Sequence, residues 1–240
     1  MTPLVLVLAG LIALGAGWLL MRRLGSGARI GRILAATPVV QMAQAIDAAR
    51  AGTARYVAVG GRIDATEEFE DDAGRPLVFR RTRLELRRGS DWATVEDRRE
   101  VVPFAIAGGL ESMAVDAAAL DEGLIVVTRE SEGTAGEIPD RLPADTDPAT
   151  PVRLRVEYLS TIDHALVLGV PAIDPDRGPI LRPGLGRPLV ITTLEPAEAM
   201  RLLTGGRRGA TVAITVLLAG GLAAVGAGLV WAIAGAAVGR

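Results

Sequence analysis

The sequence predicts a mainly β domain, a barrel- or sandwich-like antiparallel structure with short helices, held between two transmembrane α-helices. Three observations carry this. Pro3 to Met21 and Gly209 to Gly239 contain no Asp, Glu, Lys, Arg or His. From Arg55 onward the apolar residues recur at period two, as in half-buried strands. Gly-, Pro- and Asp-rich turn signals then punctuate the pattern at short intervals.

Taken in order, the first apolar stretch gives a transmembrane helix over 3–21, about 28 Å at ~1.5 Å per residue against a hydrocarbon core of ~30 Å. Little precedes this core, and Met21-Arg22-Arg23-Leu24 follows it. That favours a signal anchor over a cleaved leader, which needs a positive start and a small-residue cleavage site. Gly25-Ser26-Gly27 reads as a flexible break. Thr37-Pro38 reads as an N-cap with proline at the first helical position. Val39, Met42, Ala43, Ile46 and Ala49 then predict an amphipathic helix of about fourteen residues, stopped by Gly52.

Strands are expected at Tyr56 to Ile63, Arg83 to Arg87, Trp92 to Phe104, Met113 to Val115, Leu124 to Val127 and Val152 to Tyr158. Ala165 to Val170 and Leu189 to Thr192 are apolar throughout and fit buried strands. Residues 133–151, with four prolines and several aspartates, read as a long exposed loop. A short helix follows from Pro196 to Leu203, and a second transmembrane helix is expected over 210–237. The soluble domain then covers 37–203. Arg22, Arg23, Arg29 and Arg32 follow the first span and Arg201, Arg207 and Arg208 precede the second. The positive-inside rule then predicts a multi-pass protein of the cell membrane with its central domain in the cytoplasm.

Composition removes most conventional chemistry. The net charge is −2, which is no nucleic-acid signature. All 26 basic residues are Arg, there is no Cys, and His164 is the one histidine. Thiol nucleophiles, cysteine zinc sites, Walker lysines, Schiff bases and the HExxH pair are therefore closed. His164 has Ser160 and Thr161 nearby in sequence but no nucleophile-elbow pattern. The acidic run Glu67, Glu68, Glu70, Asp71, Asp72 lacks EF-hand spacing and reads as a solvated hairpin tip. No catalytic residue, metal or cofactor is expected.

Val57-Ala58-Val59-Gly60-Gly61, Gly74-Arg75-Pro76-Leu77-Val78-Phe79-Arg80, Trp92 and Val102-Pro103-Phe104-Ala105-Ile106 form the first part of an ordered set. Met113-Ala114-Val115-Asp116, Glu157, Asp163 to Gly169 and Pro188 to Thr192 complete it. In that order these segments resemble the GIDE domain of the mulan-type ubiquitin ligases of the mitochondrial outer membrane, and more closely its prokaryotic relatives. The resemblance implies a membrane-proximal β domain. Those ligases also carry a RING, whose zinc ligands are Cys and His. A chain without Cys cannot assemble such a site, so ubiquitin ligase activity is not expected of it.

The remaining expectation is a non-enzymatic scaffold that holds a protein partner at the bilayer, with Arg80, Arg81 and Trp92 as candidate contacts. A membrane-anchored enzyme built on carboxylates or His164 is the rival class. Small-residue stripes at Ala9, Ala13 and Gly17 and at Gly220, Ala224 and Gly228 point to close helix packing, either between the two spans or in a homo-oligomer.

Overall fold

The structure is a computed structural model. It describes the backbone of residues 3–120, 123–204 and 208–238, and the side chains of these except 3, 20–28, 196, 203–204, 208–214 and 232–238. Two compact units emerge: residues 1–35 with 200–240, and residues 36–199.

The first unit is helical. It contains α1 (Pro3–Ala36) and α4 (Arg208–Val238). The buried positions Gly10 and Gly17 on α1, and Gly221 and Gly228 on α4, are seven residues apart, the repeat of a helix–helix seam. A methyl group on Gly10 would lie 2.6 Å from Val225 Cγ2 and 2.7 Å from the Gly221 carbonyl oxygen. One on Gly17 would meet Leu218 at 3.0 Å. As α1 advances from 10 to 17 its contacts on α4 retreat from 225 to 218, so the helices run antiparallel.

The expected transmembrane helices are not supported. Among the described residues no helix is long and apolar enough to cross a membrane. The described side chains cover 4–19 and 29–36 of α1 and 215–231 of α4, where Gly10, Gly17 and Gly221 turn part of the apolar surface onto the other helix. The remaining parts of the expected spans, 20–21, 210–214 and 232–237, lie outside the described side chains. Nor does the expected break at 25–27 interrupt the backbone, since α1 continues to Ala36.

The second unit is mainly β, and all of the described strands fall within it, so that part of the expected class stands. β1 (Val39–Val40) pairs parallel with β2 (Val57–Asp64). This pairing, together with Gln41 as N-cap, delays α2 to Met42–Arg50, shorter than the fourteen residues expected. Met42, Ala45, Ile46 and Ala49 are its buried face. β3 (Phe69–Glu70), β4 (Pro76–Arg88), β5 (Asp91–Val101), β6 (Ala105–Gly108) and β7 (Glu111–Val115) follow, then β8 (Leu124–Ile125) and β9 (Arg129–Thr134). β10 (Pro151–Ser160), β11 (His164–Asp174), β12 (Gly178–Arg182), β13 (Val190–Thr192) and α3 (Pro196–Thr204) complete the order.

β2, β6, β7, β12 and β11 close into a ring, because β11 pairs back onto β2 from His164 opposite Arg62 to Gly169 opposite Val57. β7 and β12 are parallel and the other ring neighbours antiparallel, so the fully antiparallel expectation fails there. This is a five-stranded Greek-key ring of the OB type, an architecture that carries no function by itself. Val59, Ile63, Ile106, Met113, Val167 and Leu181 fill its interior, each fully buried. Gly61 is required where β2 and β6 cross closely: a Cβ there would stand 2.6 Å from the Ala107 carbonyl oxygen.

Two excursions leave the ring, one between β2 and β6 and one between β7 and β11. Together they build a second antiparallel sheet. β4 pairs β10 on one edge and β5 and β3 on the other, while β9 pairs the far edge of β10. Phe79 and Leu159 anchor this sheet in the ring's core. Its other end has a small core of its own, Leu84, Leu86, Ala135 and Val152.

Candidate functional site

The register of the second sheet gives its two faces opposite characters. On one face Arg81, Arg83, Glu85, Arg153, Arg155 and Glu157 alternate outward. Arg81 grips Asp97 with both guanidinium arms, at 2.9 and 2.6 Å. Those bonds hold the Asp97 carboxyl below the usual carboxylate range. Arg83 pairs Glu157 at 2.6 Å, Arg153 bonds Glu85 at 2.8 Å and Arg155 lies 2.8 Å from Glu130. Trp92 closes the far end of this ladder beneath Arg153 and Arg87, at 4.5 and 5.8 Å from its ring centre. The charges are spent on one another in largely half-buried pairs, with Glu85 the deepest of them.

The opposite face holds a groove. Residues 135–150 fold over the Leu84–Leu86–Val152 end as a strap. Its base is tied by Ala135 N–H to the Thr150 carbonyl at 2.9 Å and by Gly136 N–H to the Pro148 carbonyl at 2.9 Å. The Glu137 carboxylate accepts from the Thr134 hydroxyl at 3.0 Å and its N–H at 3.3 Å. Ile138 and Leu142 pack down onto the sheet, and Arg141 bonds Glu96 at 2.8 Å. The expected exposed loop is therefore a cover, because Ala135, Ile138 and Leu142 give it an apolar underside.

The strap stops short of Thr82. Beyond it, an open cavity of about 380 Å³ lies between the strap and the 71–75 turn, with Leu77, Leu154, Val156 and Tyr158 among its lining residues. A second hollow of about 220 Å³ shares Arg80, Thr82 and Arg141 with it and extends to Arg98. The size falls near the lower end of ordinary binding clefts.

The turn wall is rigid. The Asp71 carboxylate accepts from the N–H groups of Ala73 and Arg75, both at 2.9 Å, and forms an ion pair with the Arg75 side chain. The Arg75 backbone bond and then its guanidinium hold the Asp71 carboxyl below the normal range. Arg75 in turn donates to the Tyr158 hydroxyl at 2.8 Å and lies 4.6 Å from its ring centre, with Arg129 at 5.2 Å from that ring. The acidic run is thus a turn-building element. Among the described residues no group of three His, Asp or Glu is placed to hold a metal.

The sequence candidates do not converge. Arg80 lies on the groove face, 2.6 Å from Glu100 and over Phe69. Arg81 is its neighbour on the reverse face. Trp92 lies opposite Arg87, six residues along β4 from Arg81, or ~20 Å at ~3.3 Å per residue. His164 is exposed on a shallow hollow with Arg62 and Glu195, at the start of β11, and among the described residues its side chain has no hydrogen-bond or ionic partner. The nearby hydroxyls are occupied: Ser160 donates to the Pro76 carbonyl at 2.6 Å and Thr161 to Glu68 at 3.2 Å. In the helical unit Gly17 is at the seam, whereas Ala9 is exposed and Ala13 half-buried. Gly228 is buried and Ala224 half-buried, and a Cβ on Gly220 would meet nothing within 4 Å. Gly221, outside the expected stripe, makes the close contact instead.

No family model, curated protein or solved structure matches the chain.

Proposed function

We propose that the chain is a non-catalytic binding module whose β domain takes a segment of a protein partner into the groove between the 71–75 turn and the strap. The observation that carries this reading is the half-covered sheet face. One end of the face is sealed by its own chain, and the other presents the half-buried Leu154, Val156 and Tyr158 beneath a rim of arginines. An apolar floor with a few polar groups at the margin is what a specific cleft offers. Arg and Tyr are also the residue types that dominate binding energy at protein interfaces. The resemblance to the GIDE domain, the part of those ligases apart from their RING, adds support for binding over catalysis.

The chain has no cysteine, so a single introduced thiol carries a photo-cross-linker to one place. Attached at Ser131→Cys on the groove, the probe yields a discrete partner adduct. The same probe at Leu110→Cys, on the exposed β6–β7 turn, does not. Val156→Trp, which fills the groove, removes the adduct. Equal labelling from both positions, no adduct at all, or an adduct that survives Val156→Trp would each reject the reading.

A further inference from the structure

The pairing register lines up one row across four of the sheet's five strands, β5, β4, β10 and β9, on the groove face. Arg98 on β5 is opposite Thr82 on β4, Thr82 is opposite Val156 on β10, and Val156 is opposite Arg129 on β9. The rows on either side are Glu100–Arg80–Tyr158 and Glu96–Leu84–Leu154–Ser131. The two ends of the central row are both cations. The carboxylates that flank Arg98 on its own strand are engaged elsewhere, Glu96 with Arg141 and Glu100 with Arg80. Among the described residues neither Arg98 nor Arg129 has a carboxylate partner, and Arg129 lies over the Tyr158 ring. Arg75, which also lines the groove, is held by Asp71. Asp72, exposed on the turn, is the one lining carboxylate left without a cation.

From this row we infer that the segment the groove receives is extended and acidic and lies across the strands. It places one carboxylate on Arg98 and another on Arg129, and the one side chain between them that faces the sheet, a small apolar one, lies over Thr82 and Val156. The inference rests on the groove being the docking site. The spacing follows from sheet geometry. Three inter-strand steps of ~4.8 Å separate the ends by about 14 Å, and an extended chain covers that in roughly four residues at ~3.3 Å each. A guanidinium matches a carboxylate with two parallel donors, which makes it selective for this group over a diffuse anion. A segment running along the strands could reach one of the two cations but not both.

The test uses the full chain and a fluorescein-tagged peptide, Glu-Thr-Val-Thr-Glu, read by anisotropy, in which both acids and the valine share one face of the extended chain. Arg98→Glu and Arg129→Glu should each weaken its binding by about fivefold or more, the upper range for one exposed ion pair. Arg177→Glu, on the β11–β12 turn, should leave it unchanged. Moving the acids together, as Glu-Glu-Thr-Val-Thr, should lose a similar factor. Equal weakening by Arg177→Glu would reduce the effect to general charge and overturn the inference, and equal binding of the two peptides would overturn the crossing geometry. Absence of peptide binding while the Ser131 adduct still forms would overturn the acidic ligand and leave the groove standing. Loss of that adduct as well would remove both.

Discussion

Tyr56 offers a sharp test of how the ring is closed, because this chain has almost nothing else that titrates in alkali. Its side chain is buried, and its hydroxyl lies 2.6 Å from the Pro188 carbonyl oxygen and 3.2 Å from that of Leu168. It thereby ties the start of β2 to β11 and to the segment leading into β13. Burial pushes its pKa up to about 12, against a smaller opposing pull from Arg187. The neutral form is the one the fold accepts, so the associated stability is complete below pH 10. It is lost as pH rises through about 12. By pH 11 the loss is ~1.4 kcal/mol, one pKa unit's worth. With no Lys, no Cys and only two Tyr in the sequence, few other groups change charge over this range. Tyr56→Phe costs ~1 kcal/mol at neutral pH through the missing donor. Its stability should then stay level from pH 9 to 11 while that of the parent falls by a Tm shift of about 3–6 °C. Thermal denaturation of both proteins across that range measures the difference. Parallel curves would show that Tyr56 is not enclosed as described.

Three further outcomes follow from particular contacts. Asp97→Asn should flatten the acid side of the stability curve, because a depressed carboxyl contributes above its unfolded pKa and loses that contribution as pH falls below ~4. The exposed pair with Arg81 limits the effect to at most ~1 kcal/mol, measured by urea unfolding at pH 3 and 7. Leu185 has φ +54° at the tip of the Gly184–Arg187 turn and is exposed. Leu185→Gly should raise Tm, with relief of ~1 kcal/mol of backbone strain partly offset by unfolded-chain entropy. A drop in Tm would mean that the side chain is held by contacts. Gly221→Ile should separate α1 from α4 and expose both to protease, whereas Gly220→Ile should not, since only Gly221 meets Gly10 and Leu14. Equal sensitivity of the two variants would contradict the seam.

Much of the ring was legible because β2, β7 and β11 carry the alternating or continuous apolar runs by which strands are read. The strands that escaped did so for physical reasons. Arg129 to Thr134 reads Arg-Glu-Ser-Glu-Gly-Thr, an edge strand with one paired side and no apolar residue to mark it. β6 and β12 are short, with only one or two buried residues each. Register, which decides the groove, is a long-range property. The alternation of Arg153, Arg155 and Glu157 against Leu154, Val156 and Tyr158 was visible in the sequence. That the second set would face a hollow, with Arg98 and Arg129 at its ends, depended on which strands came to lie beside β10. The apolar helices misled in the opposite direction, because hydropathy along a line does not tell a lipid-facing surface from a glycine seam between two helices.

The second sheet has a temporal consequence. β4 and β5 are a local hairpin, but the partner of β4 on its other side is β10, so Leu86 must await Val152 and Phe79 must await Leu159. A chain made from its N-terminus exposes that hairpin, with Leu77, Val78, Phe79, Leu84 and Leu86 uncovered, through the whole interval before β10 emerges. Closing so long a loop costs entropy before any contact rewards it. The arginines and glutamates interleaved along β4 and β5 keep this waiting edge from joining the wrong strand. The same charges that frame the finished groove thus serve first as gatekeepers for the nascent polypeptide.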